Sequence, residues 1–154
     1  MIARLRTSGA GGRADHGSAT LEFLAATILL LLPVLYLVVT VGRVQAATFA
    51  AEAGAYQAAR VMAAAPTTAE GVRRAEAAVR LALDDQGFDD VSSERALTLS
   101  CSASCLVPGG TVGATVDIDV NLPLVPGFLL DTVPLAVPVR AEALVAVDDH
   151  RAAG

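Results

Sequence analysis

Polar and apolar positions divide the chain into three stretches of different texture. Residues 1–17 (MIARLRTSGAGGRADHG) are polar, glycine-rich and basic, a composition that predicts a disordered leader. From Phe23 to Val41 the sequence reads FLAATILLLLPVLYLVVTV, without one charged residue. As a helix this run is roughly 28 Å long, close to the ~30 Å hydrocarbon core of a bilayer. The competing explanation is a buried core helix, but a domain this small can hardly surround a helix that is apolar on every side. Pro33 costs the run one backbone hydrogen bond, which membrane helices tolerate when the freed groups are re-satisfied locally.

Beyond Val41 the helix is expected to continue, because Val44–Ala65 contains no proline, a single glycine (Gly54) and many alanines. Ala46, Ala50, Gly54 and Ala58 recur every four residues. Such a stripe either lets another helix approach closely or is a chance product of an alanine-rich chain. Pro66 ends the helix, and Thr67-Thr68 offers a cap for a second one from about Ala69 to Gln86. There Val72, Ala75, Val79 and Leu83 share a face, Arg73, Glu76 and Arg80 lie elsewhere, and Gly87 is placed to terminate the helix.

From Ala96 the period changes to two. Leu97, Leu99 and Cys101 alternate with Thr98 and Ser100; Pro108-Gly109-Gly110 makes a turn; Val112 to Leu122 alternates apolar with Thr115, Asp117, Asp119 and Asn121. Pro123–Pro134 reads as a loop, and Leu135 to Val147 as a last strand, with Pro138 better suited to an edge than a centre. The expected fold is α+β: a long N-terminal transmembrane helix extending outward, a second amphipathic helix, and a small antiparallel sheet of about three strands covered by the helices. Three regions follow: leader 1–17, transmembrane helix 18–43, and an extracytoplasmic domain 44–154.

Charge orients this arrangement. Arg4, Arg6 and Arg13 precede the span against a single Asp15, whereas the region beyond Arg43 is acidic overall, so the N-terminus is expected in the cytoplasm and the C-terminal part outside. The 154-residue chain has a net charge of −5 and no lysine, and it shows no basic patch interleaved with aromatics, which argues against nucleic-acid binding. Its aromatic fraction is only 4%, so any core must be built from small aliphatic side chains.

Candidate chemistry is sparse. Histidine occurs only at His16 and His150, no Ser-His-Asp or Cys-His set falls in one region, and Gly9–Gly12 neither follows a strand nor opens a helix. Asp84, Asp85, Asp89 and Asp90 lack the ligand spacing and closing glutamate of a calcium loop and read as a solvated turn. Asp117 and Asp119 share one strand face, expected to be the wet one. Neither catalysis, a cofactor, a metal nor a small-molecule substrate is expected. Cys101 and Cys105 have no histidines near them for a zinc site. Outside the membrane they could form a disulfide or remain two small hydrophobes. A continuous strand would hold their Cα atoms roughly 13 Å apart, beyond the ~4.4–6.8 Å that a bridge needs, so a bridge requires the chain to turn between them.

One carboxylate stands directly before the apolar run, in Gly17-Ser18-Ala19-Thr20-Leu21-Glu22-Phe23. In the first helical turn Glu22 would favour the positive end of the helix dipole by ~0.3–1 kcal/mol, which is the plainer explanation. The other is processing: a cut after Gly17 would give Ser18 a new α-amino group and make Glu22 the fifth residue, able to pair with the amine of a neighbouring subunit. This arrangement resembles the type IV pilin leader, cleaved after glycine by a prepilin peptidase, and the Glu22-Phe23 pair resembles the tight-adherence branch. The stretches Leu32–Arg60 (LPVLYLVVTVGRVQAATFAAEAGAYQAAR) and Arg80–Phe88 (RLALDDQGF), the Cys101/Cys105 pair and the closing VDIDVNLPLVPG…VPLAVPVRAEALVAVDDHR are similar to TadE-like minor pilins of actinobacterial type. The resemblance implies a minor pilin or pseudopilin of the plasma membrane. Its partners would be the membrane, a prepilin peptidase and other pilin subunits. Two alternatives stand beside it: an uncleaved single-pass anchored interaction domain, and a secreted domain released by signal peptidase after Val44-Gln45-Ala46.

Overall fold

The computed structural model describes residues 15–102, 104–123 and 136–150, apart from the side chains of residues 15–18. The leader up to residue 14, Leu135 and nearly all of the expected 123–134 loop therefore lie outside the described residues.

Helix α1 runs from Asp15 to Ala63, beginning ahead of Gly17 and passing through Pro33. It closes with Ala64 and Ala65 donating to the carbonyls of Arg60 and Met62. Pro66 follows, and its ring disfavours helical geometry at the residue before it. Helix α2 (Thr68–Asp84) starts at the predicted cap: the Thr67 hydroxyl accepts from the Glu70 N–H at 3.3 Å. It ends in a Schellman turn. Gly87, at φ 72°, donates to the Asp84 carbonyl, and Phe88 donates to the Leu83 carbonyl. A four-residue helix α3 (Ser93–Ala96), which the sequence pattern does not announce, leads into strand β1 (Leu97–Cys101). Strands β2 (Thr111–Asn121) and β3 (Ala136–Ala146) follow.

The sheet is antiparallel in the order β1-β2-β3, with registers such as Leu99↔Ala114 and Val116↔Ala141. The fold is α+β, with β2 central and Pro138 on an edge strand, as its missing N–H requires. Between β1 and β2, Gly110 donates to the Val107 carbonyl at 2.9 Å. Pro108 and a left-handed Gly109 occupy the middle of that turn, the type II pattern.

Chain contacts divide the protein into two units, one up to Val38 and one from Val39 onward. In the first, the apolar run is exposed throughout: Phe23 is 71% accessible and Leu29 79%. It is not the core helix of a globular domain. By length and composition it can cross a membrane, and its surface needs an apolar cover.

In the second unit, Ala47, Ala51 and Ala55 of α1 meet Ala75, Val79 and Leu83 of α2 and Ala114, Val116 and Ile118 of β2 in one buried cluster. Met62, Ala63, Val112 and Val147 form a smaller cluster with Cys101 and Cys105 packed against it. The alternation read in β2 holds: Val112, Ala114, Val116, Ile118 and Val120 are buried, whereas Asp117, Asp119 and Asn121 are exposed. The helices do cover the inner sheet face.

Candidate functional site

The residues singled out at the N-terminus occupy the first two turns of α1. The Gly17–Ser18 bond lies in the first described turn of α1. Glu22 follows Ser18 by four residues, about 6 Å along the axis. Among the described residues its exposed carboxylate has no hydrogen-bond or ion-pair partner. Leu21 and Phe23 flank it, both exposed. An exposed carboxylate thus stands at the lip of an exposed apolar surface. Within the run, the Thr27 hydroxyl donates to the Phe23 carbonyl at 2.8 Å, so that polar group brings its own acceptor.

The second unit holds a contact that sequence reading missed. The Arg43 guanidinium lies 3.9 Å from the centroid of the Phe88 ring and donates to the Gly87 carbonyl at 2.9 Å. A cation at the C-terminus of α2 also meets the negative end of that helix's dipole. Phe88 is itself buried in the main cluster. The local signal was present: an apolar residue directly after a helix-ending glycine is the usual accompaniment of a Schellman turn. Its arginine partner, 45 positions earlier, left no such trace.

The small-residue stripe finds its neighbours inside the molecule. Ala50, Gly54 and Ala58 are buried and Ala46 is half-buried; an added Cβ on Gly54 would touch Val79 and Val116. Close approach is therefore made to α2 and β2 of the same chain.

Cys101 and Cys105 are joined in a disulfide with Cα atoms 5.3 Å apart. The expected turn lies between them and continues through Leu106, whose φ of 71° is rare for a branched side chain. On the far side, Ser102 donates its N–H to the Thr111 carbonyl, and its hydroxyl accepts from the Thr111 N–H. These two bonds carry the β1–β2 pairing one residue past Cys101, into the disulfide ring.

Surface features are modest. An apolar groove of about 380 Å³ runs between α1 and α2, lined by Phe49, Ala53, Ala78 and Leu81 with Asp85 at its rim. Glu70 takes hydrogen bonds from Arg74 at 2.9 Å and from Arg73. The Arg74 bond first, then Arg73, holds its carboxyl below the ordinary glutamate range. Asp84, Asp85, Asp89 and Asp90 are exposed, and among the described residues no three metal-binding side chains converge. His150 is exposed beside Asp148, and the side chain of His16 lies outside the described residues.

Comparison with protein-family models, curated proteins and solved structures finds no match.

Proposed function

We propose that this chain is a minor pilin or pseudopilin of the tight-adherence, TadE-like type, a structural subunit rather than an enzyme. In this reading its basic leader lies in the cytoplasm, the run from Phe23 to Val41 spans the plasma membrane, and the second unit stands outside. A prepilin peptidase removes the leader after Gly17. The observation that carries the reading is Glu22: one carboxylate without a partner among the described residues, at the edge of an otherwise uncharged, exposed helix surface. A helix bound for lipid alone gains nothing from it beyond the small dipole term. A helix that packs against another subunit can neutralise it with the α-amino group that cleavage creates at Ser18. The disulfide supports the orientation, because such bonds persist on the oxidising side of the membrane.

Release after Ala46 fits the fold poorly. That bond lies inside α1, next to fully buried Ala47, and the cut would detach Arg43 and Val44 from the unit they pack against. A permanently anchored, uncleaved module uses the same span and is separated by the same experiment. N-terminal sequencing of protein recovered from membranes of cells holding a prepilin peptidase is expected to begin at Ser18. A start at Met1 leaves the anchored module; a start at Ala47 leaves the secreted domain. In such cells Glu22→Ala is expected to leave cleavage intact and abolish incorporation into fibres, and unchanged incorporation would remove the pairing role.

A further inference from the structure

Strand β3 forms one edge of the sheet, and a bond just past its end fixes which way its backbone groups point. Val147 donates its N–H to the Gly110 carbonyl at 2.8 Å, so the odd-numbered residues of β3 aim their backbone groups at β2. On the opposite side of β2, Ser102 donates to Thr111, the other parity, as a regular ladder demands. Arg140, Glu142 and Leu144 therefore turn their N–H and C=O groups to the outer edge, and Pro138 turns its C=O there. Among the described residues no strand covers that edge. Pro138 loses no bond to β2 there, since its missing N–H would have pointed outward.

The edge is also symmetric in its chemistry. Ala141 is the middle residue of the eleven in β3, with Arg140 on one side and Glu142 on the other. We propose that β3 pairs antiparallel with β3 of a second copy of this chain, about a two-fold axis at Ala141. In that register Arg140 faces the partner's Glu142, and Glu142 faces the partner's Arg140. Both pairs occupy positions whose backbone groups point at each other, so each exchanges two main-chain hydrogen bonds. Exposed Leu144 (66% accessible) covers the partner's Pro138 and donates to its carbonyl. The two Ala141 residues meet in the narrow, non-hydrogen-bonded position, where a methyl group is well accommodated.

The same residues reject other registers. A slide of two residues sets Arg140 against the partner's Arg140, or Glu142 against the partner's Glu142. A slide of one moves every apolar side chain to the wrong face. An edge carrying one sign of charge would simply repel a second copy. This edge, with opposite signs about a small central residue, admits one register and penalises its neighbours. The contact needs neither cleavage after Gly17 nor the Glu22 carboxylate, so it stands or falls apart from the proposed function.

The test uses the full chain in detergent micelles, with mass measured by light scattering. Wild type is expected to dimerise. Glu142→Arg alone and Arg140→Glu alone should each weaken the dimer roughly tenfold or more, because two attractive cross-strand pairs become repulsive. An equal mixture of the two variants should restore it, because an all-arginine edge then faces an all-glutamate edge. Arg140 also stands opposite Asp117 on β2, so an independent readout is included that leaves the charges intact. Oxidised Ala141→Cys should give a covalent dimer, whereas Ala143→Cys should not. A monomeric wild type, a dimer indifferent to both charge variants, or cross-linking through residue 143 but not 141 would each overturn the proposal and leave the charges as guards of a solitary edge.

Discussion

At the scale of single residues, Arg43 illustrates how one side chain can serve two descriptions. In sequence it marks where the apolar run ends; in the fold its guanidinium caps the Schellman turn of α2 and covers the Phe88 ring. Arg43→Ala is expected to destabilise the second unit by about 1–2 kcal/mol, from one charge-assisted hydrogen bond and one cation–π contact at a partly exposed site. Arg43→Lys should recover part of this, since an ammonium keeps the charge over the ring but not the planar donor geometry. Thermal unfolding of the full chain in micelles, with hydrogen exchange at Phe88, measures both. The cysteines were legible because they are the only two in the chain. Arg43 was not, because its partners lie 44 and 45 residues away and nothing local requires them.

At the scale of elements, the periods of 3.6 and 2 carried most of the information. Helix α2 begins at its predicted cap and ends at its predicted glycine, because capping is settled within four residues of sequence. The strands were recognisable because one face is dry and the other wet. Helix α3 was not, since four residues are too few to display a period. The cystine belongs to this scale as well. Its five-residue ring stabilises by about 2 kcal/mol on the loop-closure account. Replacing both cysteines with serine should therefore lower stability by roughly that amount at most. Hydrogen exchange should quicken between Ser102 and Thr111 while α1 and α2 stay protected. Faster exchange across the whole unit would show that the bridge holds more than the hairpin.

At the scale of the whole molecule, the second unit is built around alanine. Ala47, Ala51, Ala55 and Ala59 on α1 are fully buried, so the helix backbone lies close to its neighbours and the space per side chain is small. Ala51→Leu should cost about 1–3 kcal/mol through overpacking, despite adding apolar surface and keeping good helix propensity. The same change at exposed Ala53 should be close to neutral. Denaturant unfolding of the two variants side by side tests the contrast, and equal losses would contradict the packing described. The first unit obeys the opposite rule. Its large apolar side chains are exposed, and their burial against any apolar surroundings would be favourable.

What the sequence determined by itself was everything set by short range. It specified a run long and uncharged enough to span a bilayer, the periods and caps of the helices and long strands, the need for a turn if the cysteines were to join, and the α+β class. Tertiary structure alone decided which partners those elements take. It turned the small-residue stripe toward α2 and β2 of the same chain, placed Phe88 under Arg43, and left the β3 edge with Arg140 and Glu142 about Ala141. The physical reason is that periodicity and capping are written in neighbouring residues, whereas packing partners depend on contacts between distant ones, and a small aliphatic side chain carries no mark of which neighbour it will meet.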